Sequence, residues 1–205
     1  FLVNRWSFNL YMFCGGTNFG FMNGANYKDG KLHPTVTSYD YCAPLNEAGD
    51  RTETYYALRD MMRSCGVDAP ALTAKESEKI AYGDVKLNKR MFLLENIDKF
   101  SEAVTSACPL FMEEIGQNYG YILYSTTIPF NLENANLYID GLGDRALVYL
   151  DGEKTAVFER GKETPDITIN TLDGAKKLDI LVENRGRINY GQEIYDRKGL
   201  SCVRL

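Results

Sequence analysis

The most constraining feature of the sequence is the stretch of residues 9–50, where a short apolar run gives way to a long segment without periodicity. Residues 8–13 are mostly apolar, too few for a core helix, and are followed by Gly15 and Gly16, which predicts a strand buried on both faces. The segment after the glycines is rich in aromatic and amide side chains. Loops of this length are uncommon in compact domains unless they are functional or disordered. We therefore predict an irregular binding loop.

A helix is predicted directly after this loop. Asp50 precedes Glu53 by the spacing of a capping box. Small or apolar side chains then recur at helical spacing and Gly66 follows them, which is typical of an amphipathic helix with a C-terminal glycine. The recurring positions are Ala57, Leu58, Met61, Met62 and Cys65. Strand, loop and helix together indicate one βα unit, whose loop lies at the carboxyl end of the strand, where α/β folds bind ligands.

Two sequence blocks carry a family resemblance. The blocks NLYMFCGGTNFGFMNGAN and TSYDYCAPLNEAGDRTETYYALRD resemble the last βα unit of the catalytic (β/α)8 TIM barrel in the family 35 β-galactosidases. The resemblance implies a retaining exo-β-galactosidase that acts by double displacement, with one glutamate as nucleophile and a second as acid and base. In the family both glutamates lie on earlier barrel strands. We therefore expect them upstream of this sequence and predict no catalytic residue within it.

The resemblance also implies two substrate-binding residues. Tyr41 matches a family tyrosine that contacts galactose, and Tyr11 matches one that points at the sugar near the catalytic carboxylates. A phenol can donate a hydrogen bond to a carboxylate nucleophile or bond a sugar hydroxyl or ring oxygen. Without the resemblance, a tyrosine in a predicted strand is most often a core residue with its hydroxyl bonded to a neighbour.

The carboxylates nearest these tyrosines are predicted to be structural. Asp40 alternates with the flanking tyrosines and would face away from them on an extended segment, and Glu47 lies just ahead of the helix. We expect both to accept hydrogen bonds from backbone N–H groups that hold the loop. Glu113 and Glu114 are adjacent, so on a strand they would face opposite sides and cannot form a catalytic pair.

The chain departs from the family pattern at Cys42, where the family usually has a second aspartate. Losing that carboxylate removes hydrogen-bond acceptors from the loop, which bears on fine specificity rather than on the reaction. A nucleophilic Cys42 would need activation by the only histidine, His33, which we interpret as an exposed loop residue.

The second half of the chain has the pattern of an all-β domain. Short runs rich in aromatic and β-branched residues predict strands, and Asp151-Gly152 between two of them predicts a hairpin. The predicted strands cover residues 119–128, 136–141, 145–150, 155–159, 166–170 and 178–183. Such spacing favours a β-sandwich over βαβ units.

This half resembles the first β-domain of the same family through the blocks MEEIGQNYGYILYSTTIP, GLGDRALVYLDG and LDILVENRGRINYG. The resemblance implies a jelly-roll-like β-sandwich related to galactose-binding modules. Polar residues cluster in the last block, and two interpretations stay open: a sugar-binding edge, or a buried network that holds the loop. The residues are Asn184, Arg185, Arg187, Asn189 and Tyr190.

The predicted organisation has three parts and combines α/β with all-β classes. Residues 1–66 form the barrel-type βα unit, residues 67–107 a polar linker and connecting segment, and residues 108–205 the β-sandwich domain. Within the linker, residues 81–92 predict a short strand and residues 93–104 a turn of helix.

The composition limits the classes of binding partner that we expect. A net charge of −5 and a pI near 5.1, with no basic cluster, argue against nucleic acid. We also expect no membrane partner, because no apolar run is long enough to span a bilayer. The five cysteines are widely spaced and no Asn-x-Ser/Thr site occurs, so we expect a cytoplasmic protein, although an upstream targeting segment stays open because the chain opens on Phe1.

The predicted ligand is a β-galactoside, with no cofactor and no metal. The mechanism requires neither, and the sequence shows no ligand cluster at metal-binding spacing. The alternative function is a noncatalytic carbohydrate-binding or interaction module. The two hypotheses differ in whether a barrel with two glutamates precedes Phe1.

Overall fold

The computed structural model describes residues 2–4, 6–68 and 70–205. Its backbone is mixed and sheet-rich, with few helices. Contacts divide the chain into two units: unit 1 comprises residues 1–19 and 37–87, and unit 2 comprises residues 20–36 and 88–205. The units interleave along the sequence because residues 20–36 interrupt unit 1. The domain boundaries placed at residues 66 and 107 stay predictions.

The strands are short before residue 120 and longer after it. In chain order they are β1 (Gly16–Thr17), β2 (Gly24–Lys28), β3 (Lys31–Pro34), β4 (Ser38–Tyr39), β5 (Gly120–Ile128), β6 (Ala135–Asn136), β7 (Tyr138–Asp140), β8 (Arg145–Leu150), β9 (Glu153–Glu159), β10 (Thr168–Ile169), β11 (Lys176–Asn184), β12 (Arg187–Ile188) and β13 (Cys202–Arg204). Helix α1 spans Glu53–Ser64, and 3-10 turns cover Leu2–Asn4, Leu94–Lys99, Met112–Ile115 and Gln192–Tyr195.

Helix α1 confirms the helix predicted before Gly66, with a different start. It begins after Thr52, whose backbone is extended, and no side chain caps it, so the capping role predicted for Asp50 is wrong. At the other end Gly66 adopts a φ of 77°. The N–H groups of Gly66 and Val67 donate to the carbonyls of Arg63 and Met62 at 2.9 and 3.0 Å. These bonds satisfy carbonyls of the last turn and end the helix.

The strand predicted over residues 8–13 is wrong, because the backbone there is irregular. Its apolar composition favours a strand, but a strand requires a neighbour along its length. Among the described residues, one backbone bond joins the end of this segment to the rest of unit 1, from the Leu45 N–H to the Phe13 carbonyl at 3.0 Å. A single bond of this kind does not make a ladder.

The loop predicted to be irregular contains a hairpin, so that prediction is wrong over residues 24–34. Strands β2 and β3 pair through a turn at Asp29 and Gly30, with φ of 53° and 74°. Strand β2 also pairs in parallel with β12, placing Arg187 opposite Gly24. Asp-Gly between two short strands is a hairpin signal, and it is present in the sequence here as it is at residues 151–152.

Unit 2 is built on one four-stranded antiparallel sheet in the order β5-β11-β8-β9. The hairpin predicted at Asp151-Gly152 is confirmed, since both residues have the positive φ (49° and 82°) that such a turn requires. Central strand β11 is buried along most of its length. The buried core consists of Ile128, Leu137, Ala146, Val148, Phe158, Ile169, Leu178, Ile180, Val182 and Leu200.

The remaining predictions of secondary structure are confirmed in part. The strand predicted at residues 136–141 forms as β7 over Tyr138–Asp140, with Asn136 at the end of β6, and the strand predicted at residues 166–170 forms only over Thr168–Ile169. A helical turn lies at Leu94–Lys99, within the segment predicted to hold one. The strand predicted at residues 81–92 is wrong: that segment is irregular and exposed. Its apolar side chains Val85, Leu87 and Met91 are exposed, so burial does not stabilise a strand here.

A buried ionic cluster closes one end of the unit 2 core. Lys198 is 0% exposed and Asp144 is 3% exposed. The ammonium Nζ donates to the two Asp144 carboxylate oxygens at 2.9 and 2.8 Å and lies 3.0 Å from Oδ2 of Asp196. Arg160 adds bonds to Asp196 at 2.7 Å and to Asp144 at 3.4 Å. A buried charge is tolerated only when it is paired in this way.

We expect Lys198→Met to destabilise unit 2 by about 3–5 kcal/mol, because it leaves the Asp144 carboxylate buried without its ammonium partner. The measurement is the urea unfolding transition of the 205-residue chain. Lys162→Met is the matched control, since Lys162 pairs with Glu159 at the surface, and such pairs contribute about 0–1 kcal/mol. Equal effects of the two substitutions would contradict the role assigned to Lys198.

Candidate functional site

Two segments of unit 1 that flank the predicted tyrosines run side by side. Strands β1 and β4 pair antiparallel, with Gly16 opposite Tyr39 and Thr17 opposite Ser38. Next to this pair, the Gly15 N–H donates to the Leu45 carbonyl at 2.8 Å. The backbone that follows Tyr11 is therefore joined to the backbone on both sides of Tyr41.

Gly15 is the point of closest approach between these segments. A Cβ placed on Gly15 would lie 3.0 Å from Oδ1 of Asp40 and 3.1 Å from its Cα. Real Cβ atoms are rarely this close to a neighbour, so only glycine fits without moving Asp40. Asp40 directly precedes Tyr41, and residue 15 is thus a positioning residue that the sequence interpretation treated only as a strand boundary.

The predicted substrate-binding tyrosines are both accessible. Tyr11 is 78% exposed and Tyr41 is 69% exposed. Tyr41 and Cys42 adopt left-handed backbone, with φ of 51° and 52°, and the Ala43 N–H closes the turn on the carbonyl of Asp40 at 3.1 Å. This turn holds the Tyr41 side chain on the surface of unit 1. The galactose-binding roles of Tyr11 and Tyr41 stay predictions.

Asp40 and Glu47 hold the loop. Oδ1 of Asp40 accepts the Ala43 N–H at 3.3 Å, and Oε2 of Glu47 accepts the Thr17 hydroxyl at 2.5 Å. Hydrogen bonds from Ser38 and then Thr17 lower the pKa of the Glu47 carboxyl. Two hydroxyls on paired strands thus keep this carboxylate ionised. The predicted structural role agrees with these contacts, although hydroxyl donors act on Glu47 where backbone donors were expected.

Asp50 fixes the segment that follows α1. Its carboxylate pairs with Lys79 and accepts the Ser77 N–H at 2.6 Å. Arg51 donates a hydrogen bond from Nε to Oε1 of Glu76 at 2.6 Å and a second from its guanidinium group to the Ala74 carbonyl at 2.8 Å. Lys79 first, and the Ser77 N–H second, lower the pKa of Asp50. No local sequence pattern predicts these contacts, because the partners lie far apart along the chain.

The polar block at residues 184–190 forms mainly a structural network within unit 2. Asn184 donates to the Asn118 carbonyl at 3.2 Å, and its Oδ1 accepts the Gly186 N–H at 3.0 Å. The Arg187 guanidinium bonds Glu113 at 2.5 Å and the Asn118 carbonyl at 2.7 Å. These contacts favour the network interpretation for Asn184 and Arg187. Asn189 and Tyr190 are exposed.

His33 lies in strand β3 with an exposed side chain, and Cys42 carries an exposed free thiol. Among the described residues, no group of three or more His, Cys, Asp or Glu could hold a metal ion. In the same part of the chain, no helix is both long and apolar enough to cross a membrane.

Comparison with known proteins follows the two halves of the chain. Residues 1–65 match the family described as glycosyl hydrolases family 35, and residues 109–204 match the domain described as beta-galactosidase, first all-beta domain. The beta-galactosidase of Felis catus is 42% identical over 198 residues, which are 94% of this chain and 29% of that protein.

Beta-galactosidases of other organisms are similar to the same extent. The beta-galactosidase of Homo sapiens is 42% identical over 200 residues, or 95% of this chain and 29% of that protein. The beta-galactosidase of Xanthomonas manihotis is 41% identical over 199 residues, or 95% of this chain and 32% of that protein. The chain thus spans about 30% of the length of the curated relatives it matches.

We expect Asp50→Asn to release residues 70–79 from α1, because it removes the charge that pairs with Lys79. Limited proteolysis of the 205-residue chain should then cut this segment faster than in the unchanged chain. Asp60→Asn, on the exposed face of α1, is the control. Unchanged cutting in Asp50→Asn would contradict the anchoring role.

The same contact predicts a pH dependence. The folded state holds the pKa of Asp50 below its unfolded value of about 3.9. A carboxyl whose pKa is lower in the folded state stabilises the fold at pH values above its unfolded pKa. This stabilisation is lost progressively as the pH falls below the unfolded pKa. Proteolysis of residues 70–79 by an acid-active protease should therefore accelerate below about pH 4 in the unchanged chain, but respond less to pH in Asp50→Asn.

We expect Thr17→Val to raise the pKa of Glu47 towards its ordinary value, since it removes one of two hydroxyl donors without changing side-chain volume much. NMR titration of the Glu47 side-chain carboxyl measures this directly. Thr54→Val, on the exposed surface of α1, should leave the titration unchanged. A Glu47 pKa that does not move in Thr17→Val would refute the contact.

Proposed function

Because the chain belongs to the glycosyl hydrolases of family 35, we propose that it is part of a retaining exo-β-galactosidase that removes terminal β-linked galactose from glycosides. The observation that carries this proposal is 42% identity to beta-galactosidase across 94% of the chain. The match includes both tyrosine-bearing segments and the sheet of unit 2, so it extends over residues with different structural tasks.

We propose a finer architecture for the parent protein. Residues 1–66 would be the last βα unit of a (β/α)8 TIM barrel, with α1 as its helix, and residues 108–205 a jelly-roll-like β-sandwich. Residues 8–13, which are irregular in this chain, would take the strand position of that unit beside the neighbouring strands of the parent protein. The family match over residues 1–65 and the separate all-beta match over residues 109–204 support this division. Residues 67–107 would connect the two domains.

The proposed reaction is double displacement at the anomeric carbon. One glutamate of the parent protein attacks this carbon while a second protonates the leaving oxygen, and the second then activates water to release galactose. We place both glutamates upstream of residue 1. The carboxylates near the tyrosines have structural roles, since Asp40 accepts the Ala43 N–H that closes the turn and Glu47 accepts a hydrogen bond from the Thr17 hydroxyl.

This chain would supply one wall of the galactose site. The Tyr11 hydroxyl would donate a hydrogen bond to the nucleophilic carboxylate and hold it in line with the anomeric carbon. Tyr41 would bond a sugar hydroxyl or the ring oxygen. Both side chains are accessible, and their backbones are joined through Gly15 and Leu45. That joining supports a common task for two tyrosines that are distant in sequence.

A noncatalytic carbohydrate-binding or interaction module is the second candidate. The observation in its favour is that unit 2 has its own sheet and its own buried core. Neither contains a residue to which we assign a catalytic role. The two candidates differ in what the parent protein does with a chromogenic β-galactoside. Hydrolysis by the parent protein supports the first candidate, and binding without hydrolysis supports the second.

We expect Tyr41→Phe to lower kcat/KM of the parent protein for a chromogenic β-galactoside by about a hundredfold, the usual effect of removing one positioned donor. Tyr82→Phe is the control, because Tyr82 is 83% exposed on an irregular segment. Its activity should equal that of the unchanged protein. Full activity in Tyr41→Phe would overturn the role of this residue.

The 205-residue chain alone should not hydrolyse the same substrate, since we place both glutamates outside it. The parallel assay of the short chain and the full-length product of the same gene measures this. Comparable rates in both would require the catalytic pair to lie within residues 1–205, and the structural roles of Asp40, Glu47, Glu113 and Glu114 would then be wrong.

A further inference from the structure

A cavity of about 340 Å³ opens on unit 2 beside the hairpin β2–β3. It lies where the loop before β2, the start of β5 and strand β12 come together. Its lining combines aromatic rings with amide groups and one arginine: Phe21, Asn23, Asn118, Tyr119, Arg187 and Asn189. Small-ligand sites have this composition, with apolar walls and a few polar groups that fix orientation.

The aromatic side of the cavity is both held and accessible. Phe21 packs edge to face on Tyr121, with ring centroids 5.2 Å apart and an interplanar angle of 83°. It nevertheless keeps 40% of its surface exposed, and Tyr119 keeps 50%. Two accessible rings beside a cavity provide an apolar surface on which a flat-faced ligand can pack.

The arginine does not make the cavity a site for anions. The Arg187 guanidinium is neutralised by Glu113 at 2.5 Å, and its other nitrogens donate to the carbonyls of Asn118 and Gln117 at 2.7 and 3.3 Å. All three of its nitrogens therefore have protein acceptors. A charged ligand would find no uncompensated partner here.

Two neutral amides keep hydrogen-bonding capacity on the rim. The side chains of Asn118 and Asn189 are exposed, and within the described part of the chain neither amide group has a hydrogen-bond partner. Each offers two N–H donors and a carbonyl acceptor. Residue 24 borders the Asn189 amide, since a Cβ at Gly24 would lie 3.4 Å from its Nδ2, an ordinary van der Waals distance.

We propose that this cavity binds a neutral sugar ring. The apolar face of a pyranose would pack on Phe21 and Tyr119, and its hydroxyls would bond the amides of Asn118 and Asn189, which can donate and accept as hydroxyls do. The volume is sufficient for one ring. This site belongs to unit 2 alone and uses neither Tyr11 nor Tyr41, so it goes beyond the hydrolase proposal and does not depend on it.

The test is an NMR titration of the 205-residue chain with methyl β-D-galactopyranoside, observing the side-chain amide signals of Asn118 and Asn189. Both signals should shift with a common saturation curve. Asn189→Ala and Tyr119→Ala should each weaken the binding about tenfold, the effect of losing one good contact. Asn136→Ala and Tyr82→Ala, exposed residues that do not line the cavity, should leave it unchanged.

Three results would overturn the proposal: no shift of either amide, equal binding in the cavity variants and the controls, or shifts produced by inorganic phosphate in place of the sugar. Tyr41→Phe should retain the shifts. Loss of hydrolysis by the parent protein would bear on the proposed function, whereas loss of these amide shifts bears on the cavity, so the two failures are distinguishable.

Discussion

Unit 2 depends on one carboxylate, that of Asp144. It accepts hydrogen bonds from the ammonium of Lys198, from Arg160 and from the Arg185 N–H at 2.9 Å. These groups come from distant parts of the chain, and a buried carboxylate with fewer partners would be costly. Further contacts connect this cluster to β12. The Lys198 carbonyl accepts the Met112 N–H at 2.9 Å, and Glu113 bonds Arg187 at the start of β12. Strand β12 then provides the parallel partner of β2.

The two units use different physical means to hold their loops. Unit 2 has a buried ionic cluster at one end of its apolar core, and its loops are held by these buried contacts. Unit 1 buries little apolar surface, and α1 has no fully buried residue. Its order comes from polar contacts near the surface, those of Asp50 with Lys79 and of Glu47 with Thr17. Such contacts depend on charge state, which hydrophobic contacts do not.

Much of unit 2 is predictable from sequence because its signals are local. Asp151-Gly152 specifies a tight turn, and the β-branched runs beside it have neighbours in the same sheet. Residues 8–13 carry an equally apolar pattern, but no strand of the described residues lies along them, and pairing decides the outcome. The binding roles predicted for Tyr11 and Tyr41 rest on family resemblance alone. The closeness of Gly15 to Asp40 depends on backbone geometry that no local pattern encodes.

The parallel pairing of β2 with β12 has a consequence for synthesis of the chain. Asn23 donates to the Arg185 carbonyl at 2.8 Å across 162 residues of sequence. A ribosome releases the hairpin long before its partner strand exists, and contacts of such separation form late in folding. The loop that begins after β1 and returns at β4 therefore acquires its final shape only when nearly the whole chain has emerged. A chain that ends before Arg187 lacks the strand that pairs in parallel with β2, which would leave one edge of β2 unpaired.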